Sequence, residues 1–325
     1  MASSPYIDLV HFVTRSAGSA HPRPVSLLLA CALFGLLGCA SEQTPRITED
    51  TETSGRIRIV CAPDLQALMD REVESFRIQY PAARIEMAGG DSREGVAALM
   101  SRTADLVVAA RELEPEERNV VVKGGMEIEG YRFAKDALCV IVHPDNPLVS
   151  LSVEDLRRVY LGEVTGWSQV RGSGGDIVPV IPPPAGDLML AFLQRVMGGQ
   201  APTAPAVRAE SDSAVTRIVR ANPKAIGFVS AIHAGRGERG VKVLRLSSIT
   251  GLPDWKPDPE RVHAGDYPLS RVLNLYVRSD GPKLANGLVT YIMSRDGQRL
   301  VHESGFVPTT VPVRFVRRSP MLGTH

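Results

Sequence analysis

Three aspartates stand where the chain turns from a strand into a helix: Asp64 in "CAPDLQ", Asp91 in "GGDSREG" and Asp187 in "IPPPAGDLMLAF". A helix N-terminus offers free N–H groups and the positive end of the helix dipole, so it suits an anion. In the third stretch, prolines and Gly186 lead into a helix whose start carries only a carboxylate. Ser92, Arg93 and Arg111 are the polar or basic groups nearest these loops in sequence. An anion 4 Å from one such carboxylate is opposed by about 4 kcal/mol at an effective dielectric of 20. A helix end returns only about 0.3–1 kcal/mol. The loops therefore imply a cleft that repels anions and accepts a cationic or hydroxyl-rich molecule. The plainer alternative is that each aspartate is an N-cap, contributing about 1 kcal/mol to its helix. Arg111 is expected to bridge to Asp91 or Asp64, and Arg93 to lie in solvent.

The elements that position these loops follow from hydrophobic periodicity. "RIRIVC" (56–61) reads as a strand, followed by a helix with Leu65, Leu68, Met69, Val73 and Phe76 on one face and Pro81 at its end. "RIEMAGG" and "ADLVVAA" are further strands around a short helix from Ser92, an order that implies a parallel sheet covered by helices. Ligands of such sheets bind at the carboxyl ends of the strands, which marks loops 62–64, 89–95 and 110–113. "DALCVIVHP" restarts the pattern. A helix opened by Ser152-x-x-Asp155, the strand "DIVPVI", the helix after Gly186, and "SAVTRIVRANPKAIGFVSA" follow. "RVLNLYV" (271–277) returns to an apolar strand, and two helices close the chain. An αβ block inserted between two apolar strands implies two lobes joined by two crossings.

The 325 residues carry 37 basic and 36 acidic side chains, a balance that gives no reason to expect a nucleic-acid partner. Arg15 and Arg23 precede a short apolar run ending Leu36-Leu37-Gly38-Cys39, which reads as a signal peptide (1–39). The last four residues resemble a bacterial lipobox, with Cys39 the acylated residue. Residues 40–55 read as a flexible tether and 316–325 as a disordered tail. Cys61 and Cys139 lie in apolar strands, as two buried thiols or as a disulfide. The seven histidines are scattered with no zinc-like spacing, so no metal or cofactor is expected. Signatures of serine or zinc hydrolases and a P-loop are missing, and "RGSGGD" (171–176) lacks the lysine and context of a phosphate loop. Asp136 and Trp167 are read as turn and packing residues.

"KDALCVIVHPDNP", "LRRVYLGEVTGWSQV", "NPKAIGFVS", "DYPLSRVLNLYV" and "SRDGQRLVHESGFVP" resemble, in order, signatures of the periplasmic phosphate-binding proteins of PstS type. The resemblance spans about residues 56–312. It implies a bilobal class II periplasmic-binding-protein fold, α/β in both lobes, with 56–135 and 271–315 in the first lobe and 136–270 in the second. It also implies a monomeric, non-enzymatic receptor outside the cytoplasm that closes on a small ligand and serves an ABC importer permease. Membrane contact would be through the lipid anchor alone, on the outer membrane if the source has one. The family's anion cradle is largely replaced. Ala62-Pro63-Asp64 stands for its Gly-Ser-Ser/Thr turn, only Ser92 remains of its second turn, and Ala110-Arg111 stands for Ser-Arg. Pro182 and Gly186-Asp187-Leu188 stand for its arginine and Ser-Gly-Thr. Losing one charged hydrogen bond costs about 1.5–3 kcal/mol, so phosphate binding in the family's manner is not expected. The resulting alternatives are a receptor of altered specificity and a scaffold or sensor that keeps the fold without a ligand.

Overall fold

The computed structural model describes residues 49–235 and 240–309. The expected signal peptide with Cys39, most of the expected tether and the expected tail lie outside the described residues. The first lobe begins with β1 (Gly55–Cys61), α1 (Gln66–Gln79), β2 (Ala83–Gly89), α2 (Ser92–Met100), β3 (Leu106–Ala109) and α3 (Pro115–Lys123). Alternate residues of β1 are buried, and Leu68, Met69, Val73 and Phe76 form the buried face of α1, as their helical spacing requires. β1 pairs in parallel with both β2 and β3.

The strand β4 (Ile128–Val142) is longer than the apolar run 136–144 suggests. Its first half mixes polar and partly exposed residues, which hides it from a search for apolar runs. Beyond it come β5 (Ser150–Ser152), α4 (Val153–Tyr160), β6 (Val178–Ile181), α5 (Asp187–Arg195), β7 (Val207–Arg208) and α6 (Asp212–Ala221). Then follow β8 (Ala225–Ser230), α7 (Ala231–Gly235), β9 (Lys242–Val243), β10 (Arg245–Ser247) and α8 (Pro259–Ala264). The chain returns through β11 (Ser270–Arg278), α9 (Lys283–Met293), α10 (Arg295–Glu303) and β12 (Val307–Pro308).

The strand order is β2-β1-β3-β11-β4-β8-β6-β7. β4 is the shared member. Its residues up to Ala137 pair antiparallel with β11, and from Leu138 onward they pair antiparallel with β8. Leu138 N donates to Leu269 O at 2.8 Å, so the outgoing and returning chains are tied at the same level. Two apolar cores flank that line. One contains Ile57, Phe76, Leu106, Leu275 and Leu288; the other contains Val140, Tyr160, Phe192, Phe228 and Leu246. In the second, the Phe192 and Phe228 rings stack with centroids 4.1 Å apart. The parallel sheet expected from the first strands thus becomes mixed once β11 and β4 join it.

The chain just before β1 is docked rather than free. Asp50 Oδ2 accepts from Lys283 N at 2.9 Å at the start of α9, and Thr51 pairs with Ser54. A Cβ on Gly287 would fall 1.7 Å from the Glu52 carbonyl oxygen, so only glycine lets α9 approach this turn. The tether expected through residue 55 therefore gives way to folded structure by Asp50. Cys61 and Cys139 are buried free thiols, which excludes the disulfide; burial pushes both thiols' pKa well up.

Candidate functional site

Four helical starts converge between the lobes: the turn Pro63–Leu65 and α2 from the first, α5 and α6 from the second. They surround a cavity of about 400 Å³. Asp64, Asp91, Asp187, Glu210, Asp212 and His233 supply its charged and titratable lining. Pro182, Pro183, Leu188 and Met189 form an apolar wall. The sequence-predicted loops 62–64 and 89–95 meet there, together with Gly186 and Asp187.

The three aspartates do different things. Asp91 is an N-cap: its Oδ1 accepts from Glu94 N at 2.8 Å, and Glu94 Oε2 accepts from Asp91 N at 3.1 Å. This reciprocal capping box is the plain role considered for all three. Asp64 caps nothing. It pairs with Arg271, whose Nε and Nη2 also donate to Asp136 Oδ2 at 2.9 and 2.7 Å. Asp136 further accepts from Ser230 Oγ at 2.8 Å and Ala231 N at 3.2 Å. Burial alone would lower the Arg271 pKa, but Asp64 and Asp136 more than offset it and hold the cation.

Asp187 is the first residue of α5, whose cap position, Gly186, has no side chain to give. Its carboxylate reaches across the cleft to the other lobe. Oδ2 accepts from Ser92 Oγ at 2.7 Å and from Ser92 N, the first amide of α2, at 3.1 Å. Ser92 Oγ in turn accepts from Ala110 N at 2.9 Å, so α2, the end of β3 and α5 meet at one hydroxyl. Ser92 is 1% exposed and Asp187 7%. Burial pushes the Asp187 pKa up, the Ser92 hydrogen bond pulls it back, and the charge of Asp64 pushes it up again.

Each of the three carboxylates thus has a compensating partner within the protein. Asp64 has a guanidinium, Asp91 has its own helix, and Asp187 has the α2 N-terminus. Arg111 differs from expectation. It forks onto Glu117 through two bonds of 2.7 Å and donates to Glu112 O at 2.9 Å, rather than pairing with Asp91 or Asp64. Its Nε lacks a hydrogen-bond partner and stands 3.9 Å from Asp187 Oδ1. Arg111 lines a different cavity from the acidic one. Burial lowers its pKa, but Glu117 and Asp187 outweigh that and raise it overall. Arg93 is exposed, as expected for a solvated residue. Asp136 and Trp167 are buried; Asp136 goes beyond a turn role by anchoring Arg271.

Arg271, Asp212 and His233 are site residues that the sequence reading did not single out. Asp212 opens α6, and its pKa is pushed up to about 6, by burial first and then by the charge of Asp64. His233 Nδ1 lies 4.0 Å from Asp212 Oδ2 and has no hydrogen-bond partner. "SDSAV" carries a cap signal at Ser211, which could have marked this fourth helix start. Nothing local marks Arg271, whose partners lie 135 and 207 residues away. Among the described residues, no three His, Cys, Asp or Glu side chains are grouped to hold a metal ion.

Comparison with known proteins agrees with this architecture. A family model described as the PBP superfamily domain matches residues 47–296. The phosphate-binding protein PstS of Bacillus subtilis is 24% identical over 296 residues, covering 87% of this chain and 93% of its own. PstS of Pseudomonas aeruginosa is 23% identical over 285 residues, with 83% and 88% covered. Among solved structures, a protein from Clostridium perfringens described as a phosphate ABC transporter substrate-binding protein with bound phosphate superposes with a TM-score of 0.68. It is 22% identical, with 78% of this chain and 99% of that one covered. An ABC-type phosphate transport receptor from Vibrio cholerae gives 0.67 at 24% identity, with 77% and 99% covered. At these identities the structural likeness speaks for the fold alone. With 250 consecutive residues under the family model and a bilobal α/β architecture, the chain belongs to the PBP superfamily, and its sequence relatives within it are PstS-type phosphate-binding proteins.

Proposed function

We propose that this chain is an extracytoplasmic solute-binding lipoprotein, anchored through Cys39, that takes a small molecule between its lobes and presents it to an ABC importer permease. Its ligand is not phosphate held in the PstS manner. The observation that carries this reading is the Asp187 carboxylate seated on Ser92, where it uses the donors an oxyanion would need. The adjoining cavity supports it. Its lining has five carboxylates and no lysine or arginine, so a phosphate dianion would lose its hydration without gaining a charged donor. A ligand with ammonium or hydroxyl groups and an apolar face matches the acidic floor and the Pro182–Met189 wall. Non-enzymatic binding is in keeping with the relatives, which are named as binding proteins.

A second reading, a scaffold or sensor without a solute, is favoured by the same contact, because Asp187 already joins the lobes. Thermal denaturation separates the two. A ligand that binds only the native state raises Tm, by the equivalent of about 2.7 kcal/mol at a hundredfold excess over Kd. Cationic and polyhydroxylated metabolites are expected to include one that raises Tm, with phosphate and sulfate at millimolar concentration leaving it unchanged. A phosphate-induced rise at micromolar concentration would overturn the assignment of the cleft. Silence across every class would favour the scaffold.

A further inference from the structure

We propose that Asp187 is a built-in ligand: its carboxylate fills the anion position of the cleft and latches the two lobes together, so that the donors which remain there are closed to a free oxyanion. The inference stands whether or not the protein serves an importer.

The geometry has the features of a bound anion rather than of a helix cap. The acceptor sits on the second lobe and both short donors on the first. One donor is the leading amide of α2, a nine-residue helix, and the other is a hydroxyl that is itself held by Ala110 N. The carboxylate also lies at the start of its own helix, α5, so two helix N-termini face the same negative group. A third donor points the same way. Arg111 Nε is buried, unpartnered and 3.9 Å from Asp187 Oδ1, while the rest of that guanidinium is locked on Glu117. A tetrahedral oxyanion held by Ser92 N, Ser92 Oγ and Arg111 Nε would need the space that the Asp187 side chain occupies. A carboxylate on the same chain has no translational entropy to lose, so it excludes a free anion at ordinary concentration.

Removing the carboxylate should uncover the site. In the full chain, Asp187→Ala takes the acceptor away from Ser92 N and Oγ and empties the side-chain space between them and Arg111 Nε, beside the cavity that Asp187 lines. Calorimetric titration with inorganic phosphate and with sulfate is expected to show binding to Asp187→Ala at least about tenfold tighter than to the unmodified chain. Adding Ser92→Ala should abolish that gain. Small-angle scattering supplies a second readout: Asp187→Ala should be more extended without anion and contract when phosphate is added. Should Asp187→Ala fail to fold, Asp187→Asn keeps the volume and removes the charge, and the same tightening is expected of it. Equal affinities of the unmodified chain and a folded variant, or no binding to the variant, would overturn the latch. That outcome is separate from failure of the proposed function, which would appear as tight phosphate binding by the unmodified chain itself.

Discussion

The crossing between the lobes, which is the hinge that the proposed closure would use, and the cleft each hold aspartates, and they stabilise them by opposite means. At the hinge, Asp64 and Asp136 share the guanidinium of Arg271, and Asp136 collects two further donors from Ser230 and Ala231. In the cleft, Asp187 has a hydroxyl and one amide, with its nearest cation at 3.9 Å and occupied elsewhere. A buried charge pair holds firmly because either member alone would be stranded. A carboxylate on neutral donors can be exchanged for another acceptor, because the donors survive its departure. The first arrangement suits a fixed crossing between the lobes; the second would suit the face that the proposed closure has to open.

Three substitutions test that contrast. The largest effect is expected at Arg271, which is 4% exposed. Arg271→Met should cost about 3–5 kcal/mol in urea unfolding, since it leaves the buried Asp136 and the partly buried Asp64 without a counter-charge. A loss below about 1 kcal/mol would mean that the hinge is held by packing and not by charge.

Glu72 extends the comparison to a carboxylate with neither kind of help. It is fully buried on α1, both carboxylate oxygens lack partners, and burial pushes its pKa up to about 9. The native state therefore keeps a proton that the unfolded chain releases above its ordinary value near 4.5. Glu72 then destabilises the fold progressively as pH rises from about 4.5 towards 9. Glu72→Gln should remove that slope from the pH dependence of unfolding free energy and raise stability at pH 8 by about 1 kcal/mol or more. An unchanged slope would show that Glu72 finds a donor.

Arg93 should matter least. It is exposed beside the cleft, so Arg93→Ala is expected to change stability by less than about 0.5 kcal/mol and to leave ligand-induced Tm shifts intact. A lost shift would return Arg93 to the binding surface.

The fold was legible because its signals are local. The periodicity of α1 and the Ser152 cap are each written within a few residues. The first half of β4 and all of α3 escaped, since a polar, partly exposed half-strand and a mostly exposed helix bury too little to leave an apolar run. In the site, the residue types at the helix starts were readable and their pairings were not. Asp64, Asp91 and Asp187 look alike in sequence, each just before or at a helix. What separates them is a partner 207, 3 or 95 residues away. Sequence alone therefore offered one role for all three, the N-cap, where the structure gives three different ones.

The turn at residues 49–54 decides where load enters the molecule. Asp50 is held at the head of α9, and Gly287 lets the Glu52 backbone rest against that helix. Under the proposed anchoring, a pull along the chain would be delivered to the first lobe, away from Arg271. The second lobe, carrying α5 and Asp187, would then be tied to the moored one through Arg271 and the Ser92 contact.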